Sequence, residues 1–222
     1  MKAMILAAGR GERMRPLTDN IPKPLLKVAG KSLIEHHINN LKSAGFTELV
    51  INTAWLPEKI HQQLSDGSQY GVSIEYSDEK EALETGGGIK KALPLLGDSF
   101  LVVNGDVWCD YDYSQLPVLA DNMLAHLVMV SNPEHNPDGD FSITDDLLSN
   151  NMQDGLTFSG IGLYRSALFN HKEQRFPLAP LLRQAADNEK ISAEFFTGQW
   201  LDIGTPERLE QLNLQLSTTT DI

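Results

Sequence analysis

The stretch from Leu6 to Gly30, LAAGRGERMRPLTDNIPKPLLKVAG, passes from apolar residues into a glycine-rich, basic loop. Gly9 and Gly11 carry no Cβ, so backbone N–H groups beside them can approach an anion closely. Arg13 offers a planar fork for two phosphate oxygens. Lys23 lies between Pro22 and Pro24, whose rings stiffen the backbone and aim the ammonium at one place. This set suits the gripping of phosphates. A solvated surface loop punctuated by prolines would use the same residue types.

Carboxylates at two other places suit a divalent cation. Asp106 ends the run Phe100–Asp106, FLVVNGD, at the carboxyl end of an apolar strand, where open α/β sheets bind ligands. Asp202 sits between Leu201 and Ile203, a partly buried setting in which an aspartate needs a partner. Magnesium takes one or two carboxylates together with phosphate oxygens. Each aspartate also has an ordinary reading as a turn or capping residue.

Other chemistries fit poorly. The dinucleotide fingerprint G-x-G-x-x-G fails because Met14 stands where the third glycine belongs. Pro16 opposes a helix through 12–20, and no acidic strand end follows at the ribose-binding distance. G-x-x-x-x-G-K-[ST] is absent. Asp138-Gly139-Asp140 is no calcium loop, because Ser142 and Ile143 occupy the positions that need Asp/Asn and Gly. His36 and His37 are adjacent and would point apart on a helix, with one of them facing the core. Trp55 and Trp108 could stack on a sugar or simply be buried. No Ser/His/Asp or Cys/His constellation stands out.

The bulk properties agree with a local anion site. The net charge is −12, yet residues 1–31 hold seven Lys/Arg against two Asp/Glu. An acidic body argues against nucleic-acid or anionic-membrane partners. The only cysteine is Cys109, which suits a reducing cytoplasm. The apolar start is short and resembles a buried strand more than a signal peptide, and no apolar run reaches the length of a membrane span.

The elements that must position these residues alternate in period. Strands are expected at 4–8, 49–52, 72–76, 100–103 and 126–130, with helices at 32–44, 57–64 and 89–96. Ser32 and Glu35 form a capping box, and Pro57 opens the second helix. This βαβα order predicts a largely parallel sheet with helices on both faces. Residues 132–155 are polar and could hold a hairpin or a mobile lid. A strand at 158–164, a helix at 180–188, a strand at 193–196 and a closing helix at 205–216 follow, with fraying over the last six residues. No linker divides the chain.

Four motifs, in this order, resemble the sugar-1-phosphate nucleotidylyltransferases. They are Leu6-Ala7-Ala8-Gly9 with Gly11, Arg13-Met14, Pro16-Leu17-Thr18 and Pro22-Lys23-Pro24; Leu83-Glu84-Thr85-Gly86-Gly87-Gly88; Asn104-Gly105-Asp106; and Trp200-Leu201-Asp202-Ile203-Gly204-Thr205-Pro206-Glu207. The resemblance implies an α/β, Rossmann-like, mostly parallel mixed sheet with helices on both faces. It implies one nucleotidyltransferase domain, 1–130 binding nucleotide and 131–222 binding sugar. The implied reaction joins a sugar 1-phosphate to a nucleoside triphosphate with release of pyrophosphate and needs Mg²⁺. The chain length, NGDVW at 104–108 and LETGGG at 83–88 are most similar to the uridylyltransferases of cell-wall sugar recycling. That implies UTP and N-acetylmuramic acid 1-phosphate. Glucose- or mannose-1-phosphate, another nucleotide, or binding without turnover are the alternatives.

The resemblance also implies roles. Lys23 and Arg13 are catalytic. Ala7, Ala8, Gly9, Gly11, Glu12, Arg13, Lys23, Glu79 and Gly86 meet the nucleotide. Thr85, Gly87, Asn104, Gly139 and Asp140 meet the sugar. Asp106 and Asp202 hold the magnesium. Glu79 lies where relatives place a base-contacting glutamine, but the acidic run Asp78-Glu79-Lys80-Glu81 could equally be solvated. Glu12 replaces a threonine usual in the loop, and Glu84 stands where several relatives have a smaller residue. The protein is expected to be cytoplasmic, and a monomer or homodimer.

Overall fold

A computed structural model describes residues 1–219. The strands are β1 (Lys2–Leu6), β2 (Lys27–Val28), β3 (Lys31–Ser32), β4 (Glu48–Thr53), β5 (Ser73–Asp78), β6 (Ser99–Asn104), β7 (Val107–Cys109), β8 (Ala125–Val130), β9 (Ser142–Thr144), β10 (Leu147–Ser149), β11 (Thr157–Arg165), β12 (Ile191–Phe195) and β13 (Trp200–Asp202). The helices are α1 (Leu33–Ser43), α2 (Pro57–Leu64), α3 (Glu84–Leu96), α4 (Leu178–Asp187) and α5 (Pro206–Thr219). Nine strands form one sheet in the order β5-β4-β1-β6-β11-β8-β12-β10-β9. All of them except β10 and β11 run the same way.

Burial on both faces explains why the central strands read as unbroken apolar runs. Ile5, Ile51 and Val103 face one side, under Ile34, Ile38 and Leu41 of α1 and Ile60 and Leu64 of α2. Met4, Val50 and Val102 face the other, under Ile89 and Ala92 of α3 and Leu182 and Ala185 of α4. A third, smaller cluster joins Met14, Leu26, Val28, Leu33, Ile203, Leu209 and Leu212. It ties the basic loop to α5.

Most local expectations hold. Helix α2 has the expected bounds, and at α1 the Ser32 N–H and hydroxyl both donate to Glu35 Oε2 at 2.7 Å. Strand β1 starts and stops two residues early, which releases Ala7–Gly9 to the loop. The Ala7 N–H leaves the ladder to donate to Asn52 Oδ1 at 2.9 Å. Residues 132–155 contain the hairpin alternative, β9 and β10 paired antiparallel at the sheet edge. Helix α5 continues to Thr219 where fraying was expected, and 220–222 lie outside the described residues.

The largest local difference is α3. It begins at Glu84 instead of Ile89, and so takes in three glycines that are poor helix formers. Close packing explains them. A Cβ on Gly86 would lie 2.4 Å from the Phe176 ring, and one on Gly87 would lie 2.3 Å from the Gln174 carbonyl oxygen. Gly87→Ala is therefore expected to destabilise the fold by about 1–3 kcal/mol, the usual cost of forced overpacking. Urea unfolding measures this, and an unchanged midpoint would contradict the packing role.

Candidate active site

The basic loop is built from its ends inward. Gly11 adopts φ +67°, in the left-handed region that glycine tolerates, and lets the chain enter a short turn over Glu12–Met14. The Thr18 hydroxyl closes the loop by donating to the Gly11 carbonyl at 2.7 Å. Met14 plugs the third apolar cluster. On the outside, Trp55 donates its indole N–H to the Thr18 carbonyl at 3.2 Å and carries the Arg10 guanidinium 3.7 Å above its ring. Lys23 enters a second short turn with Pro24 behind it and is buried. Its Nζ donates to Asp106 Oδ2 at 2.7 Å.

Asp106 and Asp202 are far apart in sequence but adjacent in space. Strand β7 pairs antiparallel with β13, which sets Val107 opposite Asp202. The Ile203 N–H then donates to the Asp106 carbonyl at 2.9 Å. Arg208 Nη1 donates to Asp202 Oδ2 at 2.7 Å, and His135 Nε2 lies 3.2 Å from the same oxygen. A bulge in β11 between Phe158 and Ile161 exposes the Ser159 carbonyl, which accepts the Trp200 indole N–H at 2.9 Å.

Three adjoining depressions meet at Asp106. The first, about 250 Å³, is lined by Ala7, Ala8, Gly9, Lys23, Asn52, Glu79, Glu84, Thr85, Asn104 and Asp106, among others. The second is walled by the basic loop, with Gly9, Gly11, Glu12, Arg13 and Lys23, and reaches Asp106 and Gly204. The third has Arg13, Asn104, Asp106, His135, Asn136, Thr157, Phe158, Trp200 and Asp202. Cations therefore flank the centre of the cleft, and the two candidate metal ligands share one wall.

Most of the expected site residues thus converge, and some do not. Gly86 and Gly87 line none of these depressions. They are packing residues of α3, and the Gly87 N–H is taken by the Phe176 carbonyl at 3.1 Å. Gly139 and Asp140 also lie off the cavity wall. Gly139 packs against Gly155 and Leu156, while Asp140 Oδ2 accepts the Phe158 N–H at 2.9 Å and so sets a residue that does line the cleft. Glu79 is buried, which overturns the solvated alternative. Its Oε1 accepts from Asn52 Nδ2 at 2.8 Å and its Oε2 from the Leu83 N–H at 2.9 Å. Glu12 is exposed and pairs with Arg10 at 3.7 Å. Trp55 braces the loop, and Trp108 packs on the third apolar cluster, so neither lies in the cleft.

Asn52, His135, Asn136 and Thr157 line the cleft without belonging to any motif. For Asn52 a signal existed: it is a polar residue at the carboxyl end of an apolar strand.

His37 is the core-facing histidine, packed behind the Asp106-Val107 turn. Burial pushes its pKa down from 6.5 to about 4, against the opposing pull of Asp106 and a backbone hydrogen bond with Val107. Between pH 6.5 and 4 the unfolded chain binds a proton that the folded chain refuses, so stability falls as pH drops through that window. Between pH 7.5 and 5 this amounts to about 2 kcal/mol. His37→Leu is expected to remove that part of the pH dependence in urea unfolding. An identical slope in both proteins would contradict the buried neutral state.

The nucleotidyl transferase family model matches residues 2–141. The chain belongs to this family. A member from Neisseria meningitidis serogroup B, N-acetylmuramate alpha-1-phosphate uridylyltransferase, is 54% identical over 95% of this chain and 96% of its own. A protein of the same name from Caulobacter vibrioides is 32% identical over 92% of each chain. The mannose-1-phosphate guanyltransferase of Hypocrea jecorina is 42% identical, over only 52% of this chain and 33% of its own. Among solved structures, a putative glucose-1-phosphate thymidylyltransferase from Bacillus anthracis superposes with a TM-score of 0.84 at 22% identity, covering 100% of this chain and 96% of that one. The mixed, mostly parallel sheet is thus the fold of this nucleotidyltransferase family. No helix among the described residues is long and apolar enough to cross a membrane.

Proposed function

We propose that this nucleotidyltransferase transfers UMP from UTP to N-acetylmuramic acid α-1-phosphate, forming UDP-N-acetylmuramic acid and pyrophosphate. The observation that carries the substrate is the 54% identity, along nearly the full length of both chains, to the Neisseria uridylyltransferase. The geometry supports the chemistry. A phosphate oxygen of the sugar 1-phosphate attacks the α-phosphorus, that P–O bond forms, and the bond to the β-phosphate bridge breaks. The attacking oxygen is already anionic at neutral pH, so no general base is needed. The main obstacle is bringing two polyanions together in line.

The first depression takes the nucleotide and the third takes the sugar, so the two substrates meet at Asp106. Residues 1–130 line the first depression, and 131–222 supply most of the third. Lys23, buried and pinned beside Asp106, stabilises charge on the α-phosphate where the new bond forms. Arg13, which lines both the second and third depressions, neutralises the flanking phosphates. Gly9 and Gly11 let the loop backbone lie close against the triphosphate. Asn104 lines both the first and the third depressions and can meet hydroxyl and amide groups of the sugar, whereas Thr85 lines only the first, on the nucleotide side.

The donor set fits magnesium. Asp106 and Asp202 offer hard oxygen atoms on neighbouring strand ends, and among the described residues no group of three or more His, Cys, Asp or Glu is placed to hold a metal ion. Such a site leaves the remaining positions to phosphate oxygens and water. When bound, Mg²⁺ supplies positive charge to the phosphate oxygens during transfer. Arg208 and His135 hold the Asp202 carboxylate in place.

Pyrophosphate release with UTP, Mg²⁺ and a panel of sugar 1-phosphates tests the reading. Release is expected with N-acetylmuramic acid α-1-phosphate well above that with glucose- or mannose-1-phosphate. Equal rates across the panel would overturn the assigned sugar. No release with any of them would favour a binder without turnover.

A further inference from the structure

Glu84 stands out on the wall of the first depression. It is a non-glycine residue at φ +61°, in the left-handed region that side chains avoid, at the start of α3. The residue lines the cavity, and its Oε1 lies 3.4 Å from Arg175 Nε. The charge in this depression is divided. Lys23 lies at the end shared with the second depression, paired with Asp106, and the carboxylates Glu79 and Glu84 lie on the segment that enters α3. A triphosphate must therefore occupy the Lys23 end, and the nucleoside must extend toward the carboxylates. Acceptor-only groups there repel phosphate and attract hydroxyl or N–H donors.

The two glutamates differ in availability. Glu79 is buried, with one oxygen engaged by Asn52 and the other by the Leu83 N–H. Glu84 is half exposed, with one long contact to the exposed Arg175. A nucleoside offers two kinds of donor, the ring N–H of a planar base and the vicinal hydroxyls of the ribose. The open carboxylate matches the hydroxyls, since a carboxylate accepting from a diol is a general way to recognise ribose.

We propose that the Glu84 carboxylate accepts hydrogen bonds from the ribose hydroxyls and makes the enzyme select ribonucleotides over 2′-deoxyribonucleotides. This rests on the reading that the first depression holds UTP. The residue determines specificity by direct contact with the substrate, and its strained backbone conformation is retained for the placement of that side chain.

The test compares UTP with dUTP in two assays, kcat/KM for pyrophosphate release and equilibrium titration of the Mg²⁺-loaded protein without sugar. A hydrogen bond to a charged group predicts that the intact protein prefers UTP by about tenfold or more. Glu84→Gly suits the left-handed backbone, so it is expected to fold with an undiminished Tm. It should weaken UTP about tenfold and leave dUTP nearly unchanged. Glu84→Gln should fall between the two. Equal loss for both nucleotides in Glu84→Gly, or an unaltered UTP/dUTP ratio, overturns the proposal. So does equal binding of UTP and dUTP by the intact protein, which would leave the nucleotide site itself standing. Binding of neither would overturn both. The titration contains no sugar, so an error in the sugar assignment cannot mimic any of these outcomes.

Discussion

Lys23→Ala lowers kcat on the order of 10²-fold or more while leaving KM for UTP within a fewfold of its original value. The argument starts from placement. The Lys23 ammonium is buried, lies between two prolines, and touches Asp106 at 2.7 Å. It is thus held in the cleft before substrates arrive, so stabilising transition-state charge costs little reorganisation. Loss of one preorganised contact of this type commonly costs about 10²–10³ in kcat. A lysine that merely attracted UTP would act on the ground state and transition state alike, and its removal would raise KM with kcat intact. Steady-state kinetics separates the two, and an effect confined to KM would contradict the role. Lys23→Arg is not expected to restore the rate, because a planar fork cannot replace a compact ammonium in a buried slot.

Asp106→Asn is expected to lower turnover further, by about 10³-fold or more, with the fold intact. The substitution preserves shape and leaves an oxygen that can still accept from Lys23 Nζ, so packing around the turn is unchanged. It removes the charge that a ligand for a hard cation needs. Asp106 also lines all three depressions, so both substrates approach it. Circular dichroism and the unfolding midpoint should match the parent protein while pyrophosphate release is nearly lost. A rate near the original would remove Asp106 from the metal site. The parallel change at Asp202 should act similarly, but there it also removes the charge that faces Arg208 in a less exposed setting, so some loss of stability is expected as well.

Much of this was legible in the chain because the signals are local. Pro57 marks the start of α2, and the Ser32/Glu35 box marks α1. The fixed placement of Lys23 was readable from its flanking prolines, and the cleft position of Asp106 from its place after an apolar strand. What local pattern could not supply is pairing between distant segments. Nothing in Thr157–Arg165 reveals that β11 inserts antiparallel between β6 and β8. Nothing near Trp200 reveals that β13 joins β7 and so brings Asp202 to Asp106. The low helix propensity of the α3 glycines hid the first turn of that helix. Phe176 and the Gln174 carbonyl, far along the chain, are the groups that require them. Nor does anything near Asp140 announce that its Oδ2 accepts the Phe158 N–H.

The most direct measurement is anomalous X-ray scattering from crystals grown with Mn²⁺ and UTP. The account predicts one strong peak within ligand distance of both Asp106 and Asp202, beside an ordered triphosphate lying against Gly9–Arg13 and Lys23. An ordered UTP with its manganese bound elsewhere, and neither aspartate in contact, would contradict it.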